Sequence, residues 1–256
     1  MAERGRSGTW MAALLAALFA LPMAALIVQA FGDTWRFPAL FPQELGLRGF
    51  SDAFAGGGAG PALLVSIEVA LLTTLLALVT AWPAARVLGE RRLRHPAPVI
   101  LILAAPLLVP PLATGVGLTE WFVRLGLIDS LAGLVLVHLV FVLPYAVLVL
   151  SAGFGPRLRR LEEMSRSLGV GPVERLLHVT LPNVRPTLAA AALLAFLVSW
   201  AQYGSSLAIA GGRPTLPVIL LPYVGSDPQV AASLSLLFLA PALLVLGLAV
   251  RAGRAG

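Results

Sequence analysis

Cysteine and lysine are both absent from this chain of 256 residues. Without cysteine there is no disulfide framework, no thiolate metal site and no cysteine nucleophile. Without lysine, all 18 basic residues are arginines, and a P-loop, which needs its lysine to reach the nucleotide phosphates, is excluded. The chain is therefore not a Walker-type ATPase by itself, and a nucleotide-driven role requires a separate ATPase chain. Histidine is scarce too. His95, His138 and His178 lie far apart, and neither a histidine cluster nor paired carboxylates suggest a membrane-embedded enzyme. Charged residues make up only 12% of the chain, against about 25% in soluble domains, too few to cover a water-exposed surface.

What the chain has instead is long apolar runs; 59% of its residues are hydrophobic. A hydrocarbon core about 30 Å thick takes roughly 20 apolar residues per helix. Six such windows occur, at about 9–31, 61–85, 97–122, 130–153, 186–209 and 228–250. The reading is an all-α polytopic membrane protein with six transmembrane helices, residues 1–256 forming one transmembrane domain without internal repeat. The first window competes with a secretory signal, because Arg4 and Arg6 precede it and Val28, Gln29 and Ala30 mimic a cleavage site. Its apolar run from Trp10 to Val28 exceeds the roughly 7–15 residues of a signal core, so it is read as a retained helix.

The arginines orient the bundle. Arg4 and Arg6 precede the first span; Arg86, Arg91, Arg92 and Arg94 follow the second. Arg157, Arg159, Arg160, Arg166, Arg175 and Arg185 separate spans four and five, and Arg251 and Arg254 follow span six. Only Arg36, Arg48, Arg124 and Arg213 fall on the other side. The positive-inside rule assigns the larger group, and both termini, to the cytoplasm. The net charge of +6 is thus explained by membrane topology, and no nucleic-acid partner is expected. The opposite side carries one sizeable segment, 32–60, rich in Gly and Pro and read as flexible.

The long cytoplasmic segment 157–185 is the most charged part of the chain. Leu158, Leu161, Met164 or Ser165, and Leu168 recur at helical spacing. The opposite face offers Arg159 to Glu163 and Glu162 to Arg166, pairs four apart that support a short exposed helix. Gly169 fits a left-handed cap. Gly171 and Pro172 then open a second short helix, with Leu176, Leu177 and Val179 on its apolar side and Pro182 and Pro186 expected to end it. Two short amphipathic helices about a glycine bend form no core alone; they need another surface, or lie on the membrane face.

Within it, residues 162–182 read EEMSRSLGVGPVERLLHVTLP. Glu163, Gly169 six residues on, and Val179-Thr180-Leu181-Pro182 after nine more resemble the E-A-A-x3-G-x9-I-x-L-P loop of permease subunits of binding-protein-dependent bacterial ABC importers. The family's two alanines fall on Met164 and Ser165, a departure that bears on docking geometry. The resemblance implies an inner-membrane permease subunit that forms half of a solute path. It implies that Glu162, Glu163, Met164, Ser165, Gly169, Val179, Leu181 and Pro182 couple to a pair of ATP-binding subunits, which carry the ATP and Mg; no cofactor is expected in this chain. It further implies a second permease, the same chain or a related one, and an extracytoplasmic substrate-binding protein.

Inside the membrane, Pro106, Pro110 and Pro111 in span three and Pro144 in span four mark kinks or breaks. Residues 138–145, HLVFVLPY, and 106–111, PLLVPP, resemble the branch of this family serving polyamines, thiamine, ferric iron and sulfate-like anions. His138 is either a transport residue or a packing histidine hydrogen-bonded across the bundle. Glu68 is a carboxylate inside span two, which is costly in lipid; it meets a cationic substrate or an arginine of the partner permease. Glu120, beside Trp121 at the outer end of span three, is read as solvated at the interface. Trp200 and Tyr203, in the polar turn 199–204 of span five, are candidate substrate contacts, with aromatic packing as the alternative. The competing function is a self-sufficient secondary carrier or channel, for which inverted repeats and midplane charges would speak.

Overall fold

The structure, a computed structural model, describes residues 3–36 and 38–254; at 3–9, 12, 13, 19 and 252–254 it describes the backbone alone. The side chains of Arg4, Arg6 and Arg254, part of the orientation argument, therefore lie outside the described ones. In chain order come α1 (Glu3–Phe31), β1 (Gly32–Thr34), β2 (Glu44–Leu45), α2 (Arg48–Ala55), α3 (Ala59–Gly89), α4 (Pro96–Leu108) and α5 (Pro111–Arg124). There follow α6 (Leu131–Ser151), α7 (Pro156–Ser167), α8 (Pro172–Arg175), a π turn (Leu176–Thr180), α9 (Leu181–Trp200), α10 (Gly204–Ile209), α11 (Leu216–Ser226) and α12 (Pro228–Arg254).

Helices long and apolar enough to span a bilayer are α1, α3, α6, the run Pro172–Trp200, and α12. With α4 and α5, bent by 97° at their break, counted as one span, the spans number six. Prolines cause the bend. A residue before proline is pushed out of the helical region, and both Val109 and Pro110 precede one; their ψ angles are 134° and 133°. The expected kink or break in the third apolar window is a right-angle corner between two helices.

The fifth span departs from expectation at both ends. Pro182 and Pro186 do not end a short helix before it; the helix runs unbroken from Pro172 to Trp200. The π turn explains this: Leu181 N–H bonds to Leu176 O, five residues back, and the wider turn takes up the mismatch where Pro182 supplies no donor. Asn183 Nδ2 also donates to Val179 O at 2.7 Å. At the other end the helix stops at Trp200, and Gln202 and Tyr203 are non-helical before α10 begins.

By contacts the chain forms two compact units. The larger, residues 62–218 with 241–256, is organised around α6, buried along most of its length. Small residues allow close approach: Ala77 and Ala81 of α3 and Ala195 of α9 pack with Val142, Ala146 and Val147. Without a hydrophobic gradient in lipid, this kind of packing is what holds helices together. A Cβ on Gly89 would sit 2.3 Å from Ser151 O, so only glycine permits that approach.

The smaller unit, residues 1–61 with 219–240, contains the segment read as flexible. It is ordered as a hairpin, β1 antiparallel to β2, followed by α2. Arg48 holds Asp52 at 3.1 Å and Asp227 at 2.9 Å. Asp33 accepts from Arg48 N–H at 3.1 Å and Gln229 Nε2 at 2.7 Å. These bonds, with Phe31 against Phe50 at 5.3 Å, supply the order that Gly and Pro content concealed.

Candidate functional site

The segment 157–185 forms a helix, a glycine bend and a second helix. Gly169 has φ +79°, the left-handed cap expected of it. Its N–H bonds to Arg166 O at 3.0 Å and the N–H of Val170 to Ser165 O at 3.1 Å, which together close a Schellman motif. Beyond the bend, Pro172 opens α8.

The inward face of α7 differs from the expected one. Leu158, Glu162 and Ser165 are buried, and Leu158 packs with Phe154, Leu150, Ala85 and Val184. The expected pair of Glu162 with Arg166 does not form. Glu162 turns inward, accepting from Arg86 Nη2 at the end of α3 and from Thr180 Oγ1 in the π turn. Arg86 Nε donates to Glu90 at 2.6 Å, and Arg92 Nε to Glu90 at 2.5 Å. Burial pushes the Glu90 carboxyl up, but hydrogen bonds from Arg86 and Arg92 outweigh it and hold it below the usual carboxylate range. Arg159 and Glu163 do pair, at 2.9 Å on the exposed side, and this bond raises the guanidinium above its ordinary value.

A cavity of about 260 Å³ lies along this network, bordered by Arg159, Glu163, Arg166 and Arg175 as well. On the open side of the element stand apolar residues: Met164 is 63% exposed, Leu168 82% and Val173 68%. Leu176, Leu177, Leu181 and Pro182 are exposed too, and Val179 half-buried. An exposed apolar face of this kind on a short helical element marks an interaction surface.

Within the membrane, His138 is buried on α6 and bonded at both ring nitrogens: Nδ1 to Ser199 Oγ at 2.9 Å and Nε2 to Ser206 Oγ at 2.7 Å. Ser206 also donates its only proton to Gln202 O at 3.1 Å, so it accepts from Nε2–H, and Nδ1 accepts from Ser199. Ser199 precedes the break in span five and Ser206 follows it, so one histidine braces both sides of the break. Trp200 is buried and stacks on Phe196 at 5.8 Å. Tyr203 is half-exposed at the break itself.

Glu68 stands exposed on α3 among Leu64, Leu71, Leu72 and Leu75. It makes no hydrogen bond or ion pair with any described residue. Glu120 pairs with Arg124, whose guanidinium lies 5.7 Å over Trp121.

Sequence reasoning missed Arg86, Thr180, Ser199 and Ser206. One local signal was present: Glu162 and Ser165 lie four and seven residues after Leu158, on the same helical stripe. Among the described residues no group of three or more His, Asp and Glu is placed to hold a metal ion.

Residues 77–253 match the family model described as binding-protein-dependent transport system inner membrane component. The molybdenum transport system permease protein ModB of Mycobacterium tuberculosis is 34% identical over 210 residues, covering 74% of this chain and 78% of that protein. The trehalose transport system permease protein SugB of the same species is 30% identical over 192 residues, covering 73% of this chain and 69% of that protein.

Proposed function

Because the chain belongs to the family of binding-protein-dependent transport system inner membrane components, as a permease subunit of an ABC importer, we propose that its segment 157–185 is where a separate ATP-hydrolysing subunit drives it. One observation carries this reading: a glycine-capped helical element whose apolar side, Met164, Leu168 and Val173, is left open to solvent. In a soluble environment such a face is satisfied by a partner's groove. Glu163, exposed next to Met164 in the chain, joins the contact, and Met164 fills the groove where a smaller residue would pack more closely. ATP and Mg belong to the partner pair, whose closure pulls the element.

The arginine distribution supports a cytoplasmic side for this element and both termini. The chain forms half of the path, completed by a second permease, identical or related, and fed by an extracytoplasmic substrate-binding protein that supplies most of the selectivity. Glu68 and Tyr203 face the path or the second permease, since a lone carboxylate against lipid is costly; His138 and Trp200 form the wall behind them.

Purification of the tagged chain from its native membrane tests the proposal. A subunit carrying a Walker motif should co-purify. Gly169→Asp should still insert in the membrane but lose that subunit: an added Cβ meets nothing within this chain, so beyond the strain of the left-handed backbone, which Gly169→Ala shares, the carboxylate intrudes on a docked partner. Full retention of the Walker subunit by Gly169→Asp would refute coupling through this segment.

A further inference from the structure

The two adjacent glutamates of α7 have different jobs. Leu158 is the only buried apolar side chain of α7, too little to fix a helix that must transmit force. One turn on, Glu162 is buried and uses both carboxylate oxygens, one toward Arg86 and the other toward Thr180. Arg86 belongs to the last turn of α3, and Thr180 ends the π turn that continues directly into α9. A single carboxylate therefore joins α7 to two spans. Arg86 is itself held by Glu90, and Glu90 by Arg92, so the α3 end of this bracket is braced. The π turn has its own part: the extra residue shifts the helical phase, and Thr180 is the one residue of that turn that is buried.

We infer that Glu162 is the positioning residue that makes α7, α3 and α9 move as one body, while Glu163, exposed beside it, serves the partner's surface. The inference rests on the coupling reading above for its purpose, but the bracket itself is separately testable. Its charge-assisted bonds are directional and partly shielded from water, so they resist shear in a way one leucine contact does not.

The chain has no cysteine, so spin-label pairs can be placed without background. Labels at Arg160→Cys and Ala190→Cys report α7 against α9, and Arg160→Cys with Ala84→Cys reports α7 against α3; all three sites are exposed. The importer in lipid nanodiscs is measured by pulsed dipolar spectroscopy, nucleotide-free and trapped with ATP and vanadate. In the otherwise native chain each pair should give one narrow distance, the same in both states. Glu162→Ala should lose the narrow peak in both pairs, Thr180→Val in the α9 pair alone, and Glu163→Ala in neither. If Glu162→Ala is not recovered folded, Glu162→Gln tests the α3 arm by removing charge while keeping shape. Unchanged narrow distances in Glu162→Ala, or in Glu162→Gln in its place, would overturn the inference. If no Walker subunit accompanies the native chain, the coupling reading fails, and the nucleotide-free widths still decide whether Glu162 fixes α7.

Discussion

Glu162 and Glu163 are neighbours in the chain but differ in surroundings: the first is buried against Arg86 and Thr180, the second pairs with Arg159 in the open. A helix turns by about 100° per residue, so one step is enough to separate an inner carboxylate from an outer one.

Stability should separate them. Removing Glu162 leaves Thr180 without its acceptor and Arg86 with one partner fewer, a loss of about 2 kcal/mol for bonds to a charged group. Thermal unfolding in detergent should therefore fall for Glu162→Ala and stay at the native midpoint for Glu163→Ala. Equal midpoints for the two variants would contradict the assigned orientations.

Gly169→Ala isolates backbone strain from docking. Gly169 has φ +79°, and an added Cβ would meet only open space. The substitution therefore costs about 1 kcal/mol through the left-handed conformation alone. A drop in unfolding midpoint several times larger would mean that the glycine also makes room for something within the chain.

His138→Leu should weaken the break in span five. It leaves the buried hydroxyls of Ser199 and Ser206 without their shared partner, a cost of about 1–3 kcal/mol. Limited proteolysis or cysteine accessibility at positions 201–203 should rise. Protection equal to that of the native chain would show that Trp200 and its neighbours hold the break unaided.

Acid should loosen the arginine network at the end of α3. The Glu90 carboxyl is held below its usual range, so the unfolded chain takes up protons at a higher pH than the folded one. The stability from Glu90 is then fully present at neutral pH and is lost as pH falls from about 4, the ordinary carboxylate value, through its lowered folded value. In unfolding measured from pH 7 downward, the advantage of the native chain over Glu90→Gln should shrink only in that acid range. A difference that stays constant to pH 3 would rule out this origin.

The helix–glycine–helix element and the membrane spans were legible in the sequence because their signals are local. A span announces itself by about 20 apolar residues, a cap by one glycine, and a corner by Pro106, Pro110 and Pro111. Arginine placement, also readable residue by residue, supplied the orientation that the proposed function uses. What stayed hidden depended on residues far apart in the chain. Nothing near Glu162 predicts Arg86, 76 positions away, and the local rule pointed instead to Arg166. His138 found its serines 61 and 68 residues on. The continuity of Pro172–Trp200 through two prolines needed a π turn, whose extra residue leaves no compositional trace. Residue order alone establishes what kind of molecule this is and which segment is left without a partner. Which side of that segment faces inward is a matter of packing, because the choice between two carboxylates one residue apart is made by whichever distant arginine and hydroxyl the packed spans bring within reach.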